Sequence, residues 1–172
     1  TTGSENVAIG GSYSSYGALY FNTTGTNNTA VGAGSLSLNT TGGNNTAIGY
    51  KAIYNNTTGT QNTGAGYAVA GALGGSSGAI NNTTAFGYAA LAKTTGDNNT
   101  AVGNLASYQN TSGANNVSVG NFALFNNTTA SNNTAVGYQA GYTNTTGQIT
   151  AIGFQAGYSN LSGIQSTFVG YQ

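Results

Sequence analysis

A glycine closing an apolar triplet returns ten times along the 172 residues, at Gly10, Gly32, Gly49, Gly66, Gly87, Gly103, Gly120, Gly137, Gly153 and Gly170. The intervals are 22, 17, 17, 21, 16, 17, 17, 16 and 17 residues. A fixed period in this range is the signature of stacked repeats, each too small to bury an apolar face alone. Numbered as seventeen columns ending on the marker glycine, the repeat has the consensus Y-Q-A-L-Y-x-N-T-T-G-x-N-N-T-A-V-G. The two long intervals carry insertions at residues 11–15 and 74–78, rich in Gly and Ser as loops on single coils would be.

Each repeat contains two short β-compatible runs, N-T-A-V/I and Y-x-A-x-Y. They are separated by the marker glycine and by the N-T-T-G segment, whose Asn and Gly tolerate left-handed backbone. Apolar positions do not recur at helical spacing, and Gly, Asn, Thr and Val all disfavour helix. The expected fold is therefore all-β. It is a parallel β-solenoid of about ten two-stranded coils, a single unit over residues 1–172. At the usual strand spacing it spans roughly 45–50 Å.

Side-chain columns give the expected faces. Column 16 is apolar (Ile9, Val31, Ile48, Val102, Val119, Val136, Ile152 and Val169) and is expected to form the core ladder, facing the small residues of column 3, such as Ala52 and Ala123. Columns 1 and 5 hold 13 of the 18 aromatics, and Tyr50, Tyr54, Tyr138, Tyr142 and Tyr158 are the candidate interaction residues. Stacked coils would pile these rings along the axis, as a structural ladder or as a stripe for glycans and neighbouring subunits. Asparagines fill columns 7 and 13, where stacked amides can bond one another. Column 14 is threonine in eight repeats, and a regular Thr array that organises water makes ice binding the rival function.

Chemistry is sparse. There is no His, Cys or Arg, and the four charged residues are Glu5, Lys51, Lys93 and Asp97, with zero net charge. The two acids fall in repeats far apart, so no carboxylate pair is expected. Neither a metal site nor a cofactor is expected, and the chain reads as a non-enzyme without an electrostatic handle for nucleic acid. No run is long and apolar enough to enter a membrane as a helix. Asn-X-Ser/Thr triplets, as at Asn22, Asn39, Asn44, Asn56, Asn98, Asn110, Asn127, Asn144 and Asn160, are what any Asn/Thr-rich repeat generates. The chain begins and ends within a repeat, which suggests a piece or processed subunit of a longer fibre that self-associates head to tail or laterally.

The stretches NNTAVGYQAGYTNTTG (132–147) and NNTAIGYKAIYNNTTG (44–59) resemble repeats of bacteriophage tail fibres and bacterial surface proteins. More distantly, the AIG/AVG beat is similar to the heads of trimeric autotransporter adhesins, whose repeats are shorter. The resemblance implies an extracellular, cell-surface or virion-borne fibre that binds surfaces. The expected function is that of a structural filament subunit, adhesive to cell surfaces or glycans, with ice binding as the alternative.

Overall fold

The computed structural model describes residues 2–11, 16–71, 78–161 and 163–172. Most of both insertions lies outside the described residues. Ten short strands follow one another: β1 (Val7–Ile9), β2 (Thr29–Val31), β3 (Thr46–Ile48), β4 (Thr63–Ala65), β5 (Thr84–Phe86), β6 (Thr100–Val102), β7 (Val117–Val119), β8 (Thr134–Val136), β9 (Ile149–Ile152) and β10 (Ser166–Val169). They form one parallel sheet in sequence order, each strand paired with the next. Register is column on column, as in Thr46↔Thr63 and Ile48↔Ala65. No helix occurs among the described residues. The chain is an all-β parallel solenoid, as the repeat period implies.

Marker glycines stack directly over one another. Each has φ between 123° and 139°, a region L side chains avoid. A Cβ on Gly66 would also collide with the carbonyl of Gly87 one coil on. The glycine N–H groups continue the axial bonding of the strands, as when Gly49 donates to the Val31 carbonyl at 2.7 Å and Gly66 to the Ile48 carbonyl at 2.8 Å.

The expectation of two strands per coil needs correcting, because only the N-T-A-V run is a strand. The Y-x-A-x-Y run is a series of turns with left-handed residues at columns 2 and 4, for instance Lys51 (φ 52°) with Ile53 (φ 51°), and Phe122 (φ 58°) with Leu124 (φ 49°). The reason is steric. A strand sends successive side chains to opposite faces, whereas here adjacent columns 3 and 4 both point inward. Ala52 and Ile53, Ala90 and Leu91, and Ala123 and Leu124 are all fully buried. Left-handed backbone at such residues costs about 1–2 kcal/mol each. Axial hydrogen bonds offset that cost. The column-2 N–H donates to the preceding coil (Lys51 to Ala33, 2.9 Å) and the column-4 N–H to the following one (Ile53 to Val69, 3.0 Å).

The core ladder also needs correcting. Column 16 points outward: Ile48 is 47% exposed, Ile152 42% and Ile9 59%, with Val102, Val136 and Val169 also exposed and Val31 and Val119 half-buried. The inward strand position is column 15, where Ala30, Ala47, Ala85, Ala101, Ala135 and Ala151 are fully buried. Alternation fixes this, because the buried column-13 asparagines set columns 13 and 15 inward and columns 14 and 16 outward. The interior is too narrow for the reverse. A Cβ on Gly64, at column 15, would lie 2.8 Å from Ile53 Cγ1 and 3.0 Å from Val69 Cγ2. Column 3 is buried as expected, and column 4 supplies the large side chains Leu36, Ile53, Leu91 and Leu124.

The apolar core is divided. One cluster runs from Leu19 to Ala106 and a second from Ala123 to Ala156. In the repeat between them Ser107 replaces the column-4 leucine and Ser118 the column-15 alanine. Their hydroxyls bond each other at 2.9 Å.

Beside the apolar columns run two amide ladders. In column 13, Asn45 Oδ1 accepts from the Asn62 backbone N–H (3.0 Å) and from Asn62 Nδ2 (2.9 Å), while Asn45 Nδ2 donates to the Gly59 carbonyl at 2.9 Å. Asn116 and Asn133 repeat the pattern. In column 7, Asn39 Nδ2 donates to Asn22 Oδ1 at 2.9 Å and to the Gly42 carbonyl at 3.0 Å. Where Ile149 takes the column-13 position, Asn144 Nδ2 turns to Asn133 Oδ1 at 3.2 Å, and the buried Asn127 Oδ1 is left without a partner among the described residues. Burying amides without partners would cost several kcal/mol per coil. Paired along the axis, they tie each coil to the next at a fixed height.

Candidate interaction surfaces

Two outward surfaces run the length of the solenoid. The first is the wall of turns, carrying the aromatic columns. Column 1 stacks Tyr50 on Tyr67 (ring centroids 5.3 Å apart, planes at 20°) and Tyr67 on Tyr88 (5.1 Å, 7°). Further along, Tyr138, Phe154 and Tyr171 stack at 5.2 and 5.0 Å. Column 5 stacks Tyr108, Phe125, Tyr142 and Tyr158 with separations of 5.6, 5.2 and 5.0 Å. Offset-parallel rings at this distance are favourable by about 0.5–1.5 kcal/mol per pair beyond the area they bury.

The geometry limits what these rings can do for a ligand. Inside a stack both faces of a ring are covered by its neighbours, so edges and phenolic hydroxyls are what remain outward. Of the candidate residues, Tyr50 and Tyr138 are exposed and Tyr54, Tyr142 and Tyr158 half-buried. Tyr54 stands apart, since its column neighbours are Ser37 and Gly71, and Lys51 Nζ lies 5.3 Å from its ring centroid. Lys93 is placed similarly, 4.7 Å from the Tyr108 ring and bonded to Gln109 Oε1 at 2.7 Å. The structure thus brings the five tyrosines onto two adjacent stripes of one wall without converging them into a pocket.

The second surface is the outer face of the sheet. Columns 14 and 16 emerge side by side here, threonine next to valine or isoleucine, as in Thr100 and Val102, Thr134 and Val136, and Thr150 and Ile152. This two-column arrangement was not expected from sequence, where column 16 reads as core. The signal that could have found it is the parity of the strand: inward alanine at column 15 forces the branched residue beside it outward.

Other features of the sequence fall into place as structure. Asn39, Asn56, Asn110, Asn127 and Asn144 are buried in the amide ladder, so these triplets cannot carry a glycan in the folded chain, whereas Asn44 and Asn98 are exposed. Asp97 accepts from the Asn81 backbone N–H at 2.8 Å and from its Nδ2 at 3.3 Å, closing one coil onto the next. Glu5 sits ahead of β1 and Asp97 ahead of β6, several coils apart. Among the described residues no three His, Cys, Asp or Glu side chains gather to hold a metal ion, and no helix is long and apolar enough to cross a membrane. No protein-family model, no curated protein and no solved structure matches the chain.

Proposed function

We propose that this chain is a rod-like structural segment of an extracellular, cell-surface or virion-borne fibre, and that its tyrosine wall makes the contacts with neighbouring rods or with surface glycans. One observation carries the reading. Backbone bonds, the two amide ladders and the aromatic stacks all run in the same register along a single axis. Each coil is therefore bonded to its neighbours by several kinds of contact, the distribution that load along a rod requires.

Tyrosine combines apolar bulk with a polar tip, and stacked phenols offer rows of hydroxyls at the coil spacing. Sugars or a second copy of the chain fit such rows. The same reading makes the chain a non-enzyme that needs no cofactor and binds neither nucleic acid nor a bilayer. Electron microscopy of the purified chain should show rods or fibres. Labelled protein should bind cells or a glycan array saturably, with binding or lateral association lost when Tyr54, Tyr142 and Tyr158 are replaced by Ala. Dispersed monomers that bind nothing would sink the proposal.

A further inference from the structure

Three threonine columns run along the rod, 8, 9 and 14; column 9 lies on the exposed NTT turn, and the fold treats columns 8 and 14 differently. In column 8 most hydroxyls are tied down. Thr40 donates to the Thr57 carbonyl at 3.0 Å, Thr111 to Thr128 at 2.9 Å and Thr145 to Leu161 at 2.9 Å. In column 14 the hydroxyls of Thr29, Thr46, Thr63, Thr84, Thr100, Thr134 and Thr150 bond no described residue. They stand half-buried at their bases on the outer face of the sheet, beside the exposed methyl groups of column 16.

This face has three properties that together select an occupant. It is periodic in two directions, about 4.8 Å from coil to coil and about 6.6 Å between columns 14 and 16. It is uncharged, since Glu5, Lys51, Lys93 and Asp97 all lie in other columns. It is held rigid from below by the alanine and amide ladders. A charged ligand finds nothing to pair with there. A second copy of the chain is also poorly served. The strip is on the order of 10 Å by 45 Å, or about 450 Å², against about 800 Å² per partner in a stable protein interface. Water itself suits it. Fixed hydroxyls anchor water molecules at lattice points, methyl groups between them order the water they cannot bond, and the entropy of arranging the sites is already lost on folding.

We propose that the outer sheet face, columns 14 and 16, binds the surface of ice. Threonine and a branched aliphatic stand side by side on β2, β3, β6, β8 and β9, while on β7, between β6 and β8, Val117 takes the threonine position. Phe86 on β5 interrupts the strip with a ring 40% exposed. This function goes beyond the rod described above and does not depend on adhesion.

The test is ice-crystal shaping and thermal hysteresis of the purified chain, with sedimentation and circular dichroism on every variant. Thr134→Tyr and Thr100→Tyr should lose most of the hysteresis while keeping the wild-type spectrum. Phe86→Val should raise it by extending the flat strip. Thr129→Tyr, an equally bulky change on the exposed NTT turn, should leave it unchanged. Absence of ice shaping by the wild type, equal loss in Thr129→Tyr, or no gain in Phe86→Val would overturn the proposal. So would a wild-type dimer that Thr134→Tyr dissociates, because the face would then belong to a second copy. Rods seen by microscopy in a chain without ice activity would leave the fibre reading standing alone.

Discussion

Replacing Asn45 by Ala tests whether the amide ladder holds the coils together. The side chain is fully buried. Its Nδ2 reaches the Gly59 carbonyl at 2.9 Å and Asn28 Oδ1 at 3.1 Å, and its Oδ1 accepts from the Asn62 backbone N–H at 3.0 Å and from Asn62 Nδ2 at 2.9 Å. After truncation most of these partners keep a second contact. Gly59 still receives Asn56 Nδ2, Asn28 Oδ1 still receives the Asn45 N–H, and Asn62 Nδ2 still reaches the Ile80 carbonyl. The Asn62 N–H does not. An orphaned buried donor costs about 1–3 kcal/mol, and the lost bonds add about 1 kcal/mol net. The expected destabilisation is about 3 kcal/mol in urea unfolding followed by far-UV circular dichroism.

Asn45→Asp refines the test. Burial, with the Gly59 carbonyl and Asn28 Oδ1 facing the new carboxyl, raises its folded pKa above the unfolded value of about 3.9. A raised folded pKa means that the protonated form's contribution is fully present below the unfolded value and is lost as pH rises through the folded one. This variant should be more stable near pH 4 than at pH 7, relative to wild type. A loss of less than 1 kcal/mol in Asn45→Ala, with no pH dependence in Asn45→Asp, would refute the view that stacked amides fix the coils.

Other expectations follow from the same geometry. Gly66→Ala should prevent proper stacking of the central coils and cost more than about 3 kcal/mol, whereas Gly170→Ala, with nothing within 4 Å of the added methyl, should cost only the backbone strain of about 1–3 kcal/mol; thermal melts compare the two. Asn44→Ala, at an exposed left-handed position (φ 58°), should lose about 1 kcal/mol, and Asn44→Gly much less. Tyr67→Ala removes two stacked contacts and should cost about 1–3 kcal/mol, with a change in near-UV dichroism. Joining the two core clusters with Ser107→Leu and Ser118→Ala should stabilise the rod. Ser118→Ala alone strands the Ser107 hydroxyl, so a double-mutant cycle should show coupling of at least about 1 kcal/mol.

The architecture is legible in the repeat. Marker glycines every seventeen residues require a backbone conformation and a close approach that a stacked coil supplies, and columns of identical residues require files of identical contacts. The asparagine ladders, the tyrosine stacks and the burial of column 3 follow from that register alone. Which way each strand faces was decided by the tertiary structure. Column 16 looks like core by composition, yet between sheet and turns the central coils seat small column-15 residues such as Ala47 and Ser118, so Ile48 and Ile152 stand in solvent. Left-handed backbone at Ile53 and Leu124 likewise carries no local cue, because neither residue favours it. Their conformation is imposed by neighbouring coils, whose carbonyls sit where only an inverted turn can reach while keeping two successive side chains inside. Local chemistry set the period. The narrow interior between coils set the faces, and with them the surfaces left for function.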